Sequence, residues 1–510
     1  MLTSYRLLAA LMAASLALAS PAQAATPDDT LYASQQWWLG AYNVADSAGV
    51  AGFPKAWDIN KGAPVSGAAP IIAVLDSGVR DHPDLRANLL LPGYNFVSKI
   101  EYANNGVGRN NDPTDPGDAL SQAEHDGNLS LWDGCAVSPI SSWHGTLIAG
   151  QLGAVTNNAA GVAGINWNAR ILPVRVSGKC GAAVPDMVDG MRWAAGLPVA
   201  GAPINTNPAK ILVIGFAGIA SCDVNDANAN IAAAAKLYTN AIAEIRAKGV
   251  LIVAAAGNVR GAVGRPANCA GVLGVTALNR QGFKSIYANI GKQIALAAPG
   301  GDGNYSRTCD AELADTGITS TSDTGTTTPI TFGYAAGSGT SFAAPQVAGA
   351  ASLMWAANPG LSLAQIEAGL RASARPHVMA EALGVCNTVT PSGATNLSRC
   401  SCTTETCGAG MLDAEEALRY AQAPTSYAAP VRSAVSLSSA AIDACGIKQG
   451  SKLVPVEPVI PPTPPASTPT PAPAPAPAPA SSGGGGAMSA WWLIALAAAS
   501  LALRRHKKPV

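Results

Sequence analysis

Three side chains in this sequence could together cleave an acyl bond. Asp76 closes the apolar run "PIIAVLD", His144 opens "HGTLIAGQLGA", and Ser341 lies in "GSGTSFAAPQVAG". A serine hydroxyl is a poor nucleophile until a base takes its proton, and histidine titrates close enough to neutrality to do so. The imidazole in turn needs a carboxylate to fix its tautomer and stabilise its charged form. Asp, His and Ser in that chain order is one of the known arrangements. Taken singly, each residue has a plainer reading: Asp76 as a turn former, His144 beside a helix N-cap, Ser341 as an N-cap. The combination points to nucleophilic catalysis.

Residues so far apart in sequence must be gathered by a scaffold. Short β-branched runs recur along the chain: "PIIAVLD", "ARILPVRV", "KILVIGFAG", "GVLIVAAAGN", "GVLGVTAL" and "QIALAAPG". With helical patterns between them, as over Ile231 to Lys248, they predict parallel strands and crossover helices in one large α/β domain over 25–446. Ligands of such sheets gather beyond the carboxyl ends of the strands, where Asp76 stands. Gly337 and Gly339 permit a tight approach to Ser341, and a helix starting there aims its positive end at a forming oxyanion. Pro345 is read as falling in the first turn, where a missing N–H costs nothing.

The 510 residues carry a formal charge of zero with 13% charged residues, which argues against a nucleic-acid partner. At the N-terminus, Arg6, the apolar run Leu7 to Leu18 and Ala22-Gln23-Ala24 predict a secretory signal peptide over 1–24. All ten cysteines lie beyond it, and an even number in an exported chain favours disulfides. A zinc site at Cys400, Cys402 and Cys407 is the weaker reading, because no histidine or second close thiol pair has the spacing. From 447 to 486 a Pro/Ala-rich stretch and a glycine joint read as an extended linker. The apolar run 487–503 reads as a membrane helix and the basic 504–510 as its cytoplasmic end.

The segments "VLDSGV", "HGT" and "GTSFAAPQVAG" resemble the three signatures of subtilisin-like serine peptidases. The resemblance covers roughly Leu31 to Tyr420. It implies a three-layer sandwich with a mainly parallel central sheet flanked by helices, and a serine endopeptidase acting on protein or peptide substrates. Asp76 then orients, His144 is base and acid, and Ser341 attacks. Asn258, at the end of "VLIVAAAGN", matches the family's oxyanion-hole asparagine. Ala255, Ala256 and Gly257 match one wall of the primary specificity pocket, where small residues would leave room for a bulky side chain. Gly215, Phe216 and Ala217 match the other wall, departing from the usual Ser-Leu-Gly-Gly run. The Ala217 methyl is expected to crowd the strand that pairs with substrate, and Phe216 to reshape an outer subsite.

No cofactor is required for this chemistry. The family's stabilising calcium would find oxygen ligands in "NNDPTDPGD", Asn110 to Asp118. Analogous exported enzymes imply the pairs Cys135 with Cys180 and Cys222 with Cys269. A separate prodomain is not expected, since the start of a mature catalytic domain is matched soon after the signal. The tail resembles a bacterial sorting signal of glycine motif, membrane helix and basic end, processed by a rhomboid-type peptidase after use of the export machinery. A permanent membrane anchor is the competing reading of that tail. Against the peptidase stand a catalytically silent binding or adhesion protein on the same fold, and an esterase using the same acyl chemistry.

Overall fold

The apolar runs form neighbouring strands: β1 (Ile71–Asp76), β3 (Arg170–Arg175), β4 (Ile211–Ile214), β5 (Leu251–Ala255), β6 (Leu273–Leu278) and β7 (Ile294–Pro299). With the short β2 (Tyr94–Asn95) they make a seven-stranded sheet in the order β2-β3-β1-β4-β5-β6-β7, every pairing parallel. The strands read as continuous apolar runs because both faces of the sheet are covered. Along β1, Ile72 and Val74 point into one apolar core while Ala73 and Leu75 point into a second. The first core is filled by α2 (His144–Gly153) and α5 (Thr340–Ala357), together with α1 (Phe53–Ile59) and α7 (Ala414–Gln422). The second is filled by α3 (Val184–Ala194) and α4 (Ala229–Ala247), which places helices on both faces.

This computed structural model describes residues 26–303, 313–387 and 398–452. The signal peptide read at 1–24, most of the linker, the membrane helix at 487–503 and the basic end at 504–510 lie outside the described residues. Among the described residues no helix is long and apolar enough to cross a membrane. The boundary read at Gly446 falls inside a helix, α8 (Ala440–Lys448), and Lys452 Nζ still donates to Asp443 Oδ1 at 2.6 Å.

Two elements serve the site without having been legible as strands. β8 (Ile318–Asp323) and β9 (Phe332–Gly337) form an antiparallel hairpin. β8 is rich in hydroxyls yet wholly buried, because Ser320 Oγ and Thr321 Oγ1 donate to the Leu147 and Thr146 carbonyls of α2 at 2.7 and 2.9 Å. β9 leads directly into α5 and so carries the chain to Ser341.

Within α5 one expectation fails. Pro345 lies inside the helix rather than in its first turn. Its N–H would have donated to the Ser341 carbonyl, so the helix forgoes that bond just behind the proposed nucleophile.

Disulfides join Cys135–Cys180, Cys222–Cys269, Cys386–Cys400 and Cys402–Cys407. Cys445 is disulfide-bonded as well.

Candidate active site

β1 delivers Asp76 to the carboxyl edge of the sheet, where it is only 1% exposed. Its Oδ1 accepts from the Ser77 N–H at 2.8 Å and stands 2.8 Å from His144 Nδ1, a separation that places the imidazole proton on Nδ1. Asp76 Oδ2 is buried without a hydrogen-bond partner and faces Gly215, the first residue beyond β4. A Cβ at Gly215 would fall 2.9 Å from His144 Cε1 and closer still to Oδ2. The bare Cα is what lets strand end and carboxylate approach.

His144 is the first residue of α2, entered through Trp143 in the left-handed region at φ 49°. That conformation is unfavourable for a bulky residue. Here the Trp143 indole N–H holds it by donating to the Gly325 carbonyl at 2.7 Å. Ser77 ties the two catalytic elements together: its hydroxyl accepts from Gly145 N–H at 3.0 Å and donates to Asp115 Oδ2 at 2.7 Å. Asp115 is pushed up to about 6 by burial, with the Ser77 hydrogen bond opposing the shift. Burial alone would lower the His144 pKa. The Asp76 charge and hydrogen bond, with Asp118 and Asp115 adding, overcome it and hold the imidazole above its ordinary value. The rings of Phe216 and Phe342 pack on the imidazole from 5.5 and 5.6 Å.

Ser341 is the second residue of α5, where backbone N–H groups have no helical acceptor. The Asn258 side chain follows β5 and is oriented by Thr340. Asn258 Oδ1 accepts from both the N–H and the Oγ1 of Thr340, each at 2.9 Å. Its Nδ2 is thereby turned toward Ser341. A Cβ at Gly339 would lie 2.8 Å from Ser341 Oγ and 3.1 Å from Asn258 Nδ2, so the glycine leaves open the space between hydroxyl and amide. Among the described residues no hydrogen bond joins Ser341 to His144. Catalytic contacts of this kind tighten when substrate binds.

The residues expected to line the specificity pocket differ in what they present. Ala256 packs into the second core and offers only its carbonyl, which accepts from Gly264 N–H at 2.8 Å and Asn289 Nδ2 at 3.2 Å. Ala255 is the buried last residue of β5. Beyond them Gly257 and Asn258 carry the segment on toward Ser341. Gly257 has φ 110°, and a Cβ there would strike Asn289 Nδ2. On the opposite wall the Ala217 methyl points across toward Gly257 and Gly264. Phe216 rests on His144.

The carboxylates of the Asn110–Asp118 loop do not converge on one point. Asp112 Oδ1 accepts from Thr114 N–H, Asp115 Oδ1 from Gly117 N–H, and Asp118 from the N–H and hydroxyl of Ser142. Among the described residues, the sulfurs of Cys386, Cys402 and Cys407 form the one group of potential metal ligands within 4.8 Å of each other, and disulfides already engage them. Thr340 and Ser77 were not singled out from sequence, and Asp115 was read only as part of the Asn110–Asp118 loop. Thr340 and Ser77 stand beside Ser341 and Asp76 in the motifs. Asp115 carries no such signal, since its partner is 38 residues away.

Residues 67–400 match the Subtilase family. The chain belongs to that family. An extracellular protease of Xanthomonas campestris pv. campestris is 38% identical over 69% of this chain and 53% of its own. An extracellular basic protease of Dichelobacter nodosus is 36% identical over 65% of this chain and 48% of its own. The chain thus spans about half the length of these curated relatives. A solved protease structure from Pseudoalteromonas arctica, 37% identical, covers 78% of this subtilase and 100% of that chain, with a TM-score of 0.62.

Proposed function

We propose that this subtilase is an exported serine endopeptidase that hydrolyses peptide bonds through an acyl-enzyme on Ser341. The observation that carries the reading is the contact of the buried Asp76 with the half-buried His144 at 2.8 Å, set at the sheet edge where α5 presents Ser341 beside the Asn258 amide. The Ser341 hydroxyl attacks the scissile carbonyl carbon and its proton passes to His144 Nε2. Asp76 stabilises the imidazolium through Nδ1–H. The oxyanion takes hydrogen bonds from Asn258 Nδ2 and from the Ser341 N–H, since the neighbouring Thr340 and Phe342 N–H groups already donate to Asn258 Oδ1 and the Gly339 carbonyl. His144 returns the proton to the leaving amine, and water, deprotonated by the same imidazole, releases the acyl group.

Protein and peptide substrates follow from this chemistry, and no cofactor enters it. Calcium is proposed only as a structural support. Export through the 1–24 signal is supported by the disulfides and by relatives named as extracellular. We further propose that the apolar helix at 487–503 and basic end at 504–510 form a sorting tail removed by a rhomboid-type peptidase. An intact mass ending near Gly483 to Gly486 supports removal, and a mass that includes Val510 supports anchoring.

Hydrolysis of a denatured protein by wild type and by Ser341→Ala tests the peptidase reading. Equal rates would refute it. Cleavage of simple esters without cleavage of protein would replace it by an esterase.

A further inference from the structure

β4 and β5 lie side by side, with Ile214 opposite Ala254 as their last paired residues, and beyond their carboxyl ends run residues 215–218 and 256–258, the two segments that the family resemblance makes the walls of the side-chain slot. The slot opens between Gly215, which abuts the Asp76–His144 pair, and Asn258, which stands beside Ser341. By the resemblance to the family, a substrate held with its scissile carbonyl between Ser341 Oγ and Asn258 Nδ2 places the side chain on the acyl side of that carbonyl into this slot.

The base of the slot is fixed. Gly218 and Arg265 exchange two backbone hydrogen bonds, of 2.8 and 3.0 Å, and Gly264 N–H donates to the Ala256 carbonyl at 2.8 Å. Just beyond, the Cys222–Cys269 disulfide joins the same two segments covalently. The Gly257 side is held by the buried Asn289, whose Oδ1 accepts from Val259 and Gly261 N–H and whose Nδ2 donates to the Ala256 and Ala262 carbonyls. Neither wall can withdraw without breaking these bonds.

Into this fixed slot projects the Ala217 methyl. It lies 3.5 Å from the position a Cβ would take on Gly257, and 3.3 Å from that position on Gly264. With a C–C bond of about 1.5 Å, methyl and Gly257 Cα are at most about 5 Å apart. An inserted aromatic ring needs about 3.5–4 Å to carbon on each face, or roughly 7–8 Å between the walls. A ring therefore does not fit between the Ala217 methyl and Gly257.

We propose that Ala217 closes the slot against large side chains, so that this enzyme cleaves after small residues such as alanine, glycine or serine and rejects phenylalanine and leucine there. The proposal rests on the serine-peptidase reading and names its substrate class.

The test compares kcat/KM on two peptide p-nitroanilides, succinyl-Ala-Ala-Pro-Ala and succinyl-Ala-Ala-Pro-Phe, for wild type and Ala217→Gly. The ratio within one enzyme cancels any loss of folded protein. Wild type is expected to favour alanine. Ala217→Gly should move the Phe/Ala ratio toward phenylalanine by about 10–200-fold, the range for one methyl-sized group in a pocket. Ala217→Val should move it further toward alanine. A wild-type preference for phenylalanine, or a ratio unmoved in both variants, overturns the closed slot while leaving the peptidase reading intact. Failure to cleave either anilide or a denatured protein, with no Ser341 adduct from a small organophosphorus fluoride, overturns both.

Discussion

Gly215→Ala is expected to damage catalysis through the Asp76–His144 pair. The new Cβ would stand 2.9 Å from His144 Cε1, with Asp76 Oδ2 nearer. Carbon atoms rest at about 3.5–4.0 Å, so the imidazole must retreat by roughly 0.6–1 Å. Asp76 cannot make room cheaply, because it ends a strand paired on both sides and its Oδ1 is held by the Ser77 N–H at 2.8 Å. A displacement of about 1 Å in a reacting group costs about 10²-fold, so kcat should fall by that factor. The pH profile supplies the decisive readout. A lengthened contact with Asp76 weakens the interaction that raises the His144 pKa, so the acid limb of kcat/KM should move to lower pH. Stopped-flow or plate hydrolysis of a peptide anilide from pH 5 to 9 measures both quantities, with circular dichroism to establish folding. A variant that keeps kcat within about threefold, with an unmoved acid limb, refutes this account of Gly215. The serine usual in the family at this position would require a carboxylate and imidazole set back from their places here.

Thr340→Val removes the hydroxyl that donates to Asn258 Oδ1 and accepts from Gly257 N–H, leaving the Asn258 amide held by the residue-340 N–H alone. The loss in kcat should reach at least about tenfold and stay below the 10²–10³ known for deleting the corresponding donor in a subtilisin, a published magnitude rather than one worked from this chain. A double variant with Asn258→Ala should then lose no more than Asn258→Ala alone. In the wild type the neutral imidazole is the active form and its pKa is raised, so kcat/KM should climb with pH through an apparent pKa above 6.5. An acid limb below 6.5 in the free enzyme would contradict the Asp76 interaction. Lys284 is wholly buried and pushed down to about 7 by desolvation. The unfolded chain then binds the extra proton between about 7 and 10.5, so Lys284 makes stability rise with pH across that window. Lys284→Met should flatten the pH dependence of Tm between pH 7 and 9.5, and an unchanged dependence would refute the buried-lysine reading.

The interior strands were legible because burial on both faces leaves an uninterrupted apolar run. β8 was not, since "ITSTSD" satisfies its hydroxyls through carbonyls of α2 that are 173 and 175 residues away in sequence. Asp76, His144, Ser341 and Asn258 could be picked out because each sits in a short motif at the end or start of an element. How their neighbours act was not readable there. Phe216 is read from sequence as reshaping an outer subsite, but its packing on His144 is visible only in the fold, and the direction of the Ala217 methyl depends on the bridge between Gly218 and Arg265. The direction of a side chain beyond a strand end follows from which distant loop pins it. Spacing along the sequence carries no record of that.

The central claim is that Ser341 is a nucleophile activated by His144. Intact-protein and peptide mass spectrometry after treatment with a fluorophosphonate tests it most directly. The account predicts one adduct per chain, located on Ser341, formed rapidly by wild type and slowed by orders of magnitude in His144→Ala. Labelling elsewhere, or equal labelling of Ser341 in wild type and His144→Ala, would contradict it.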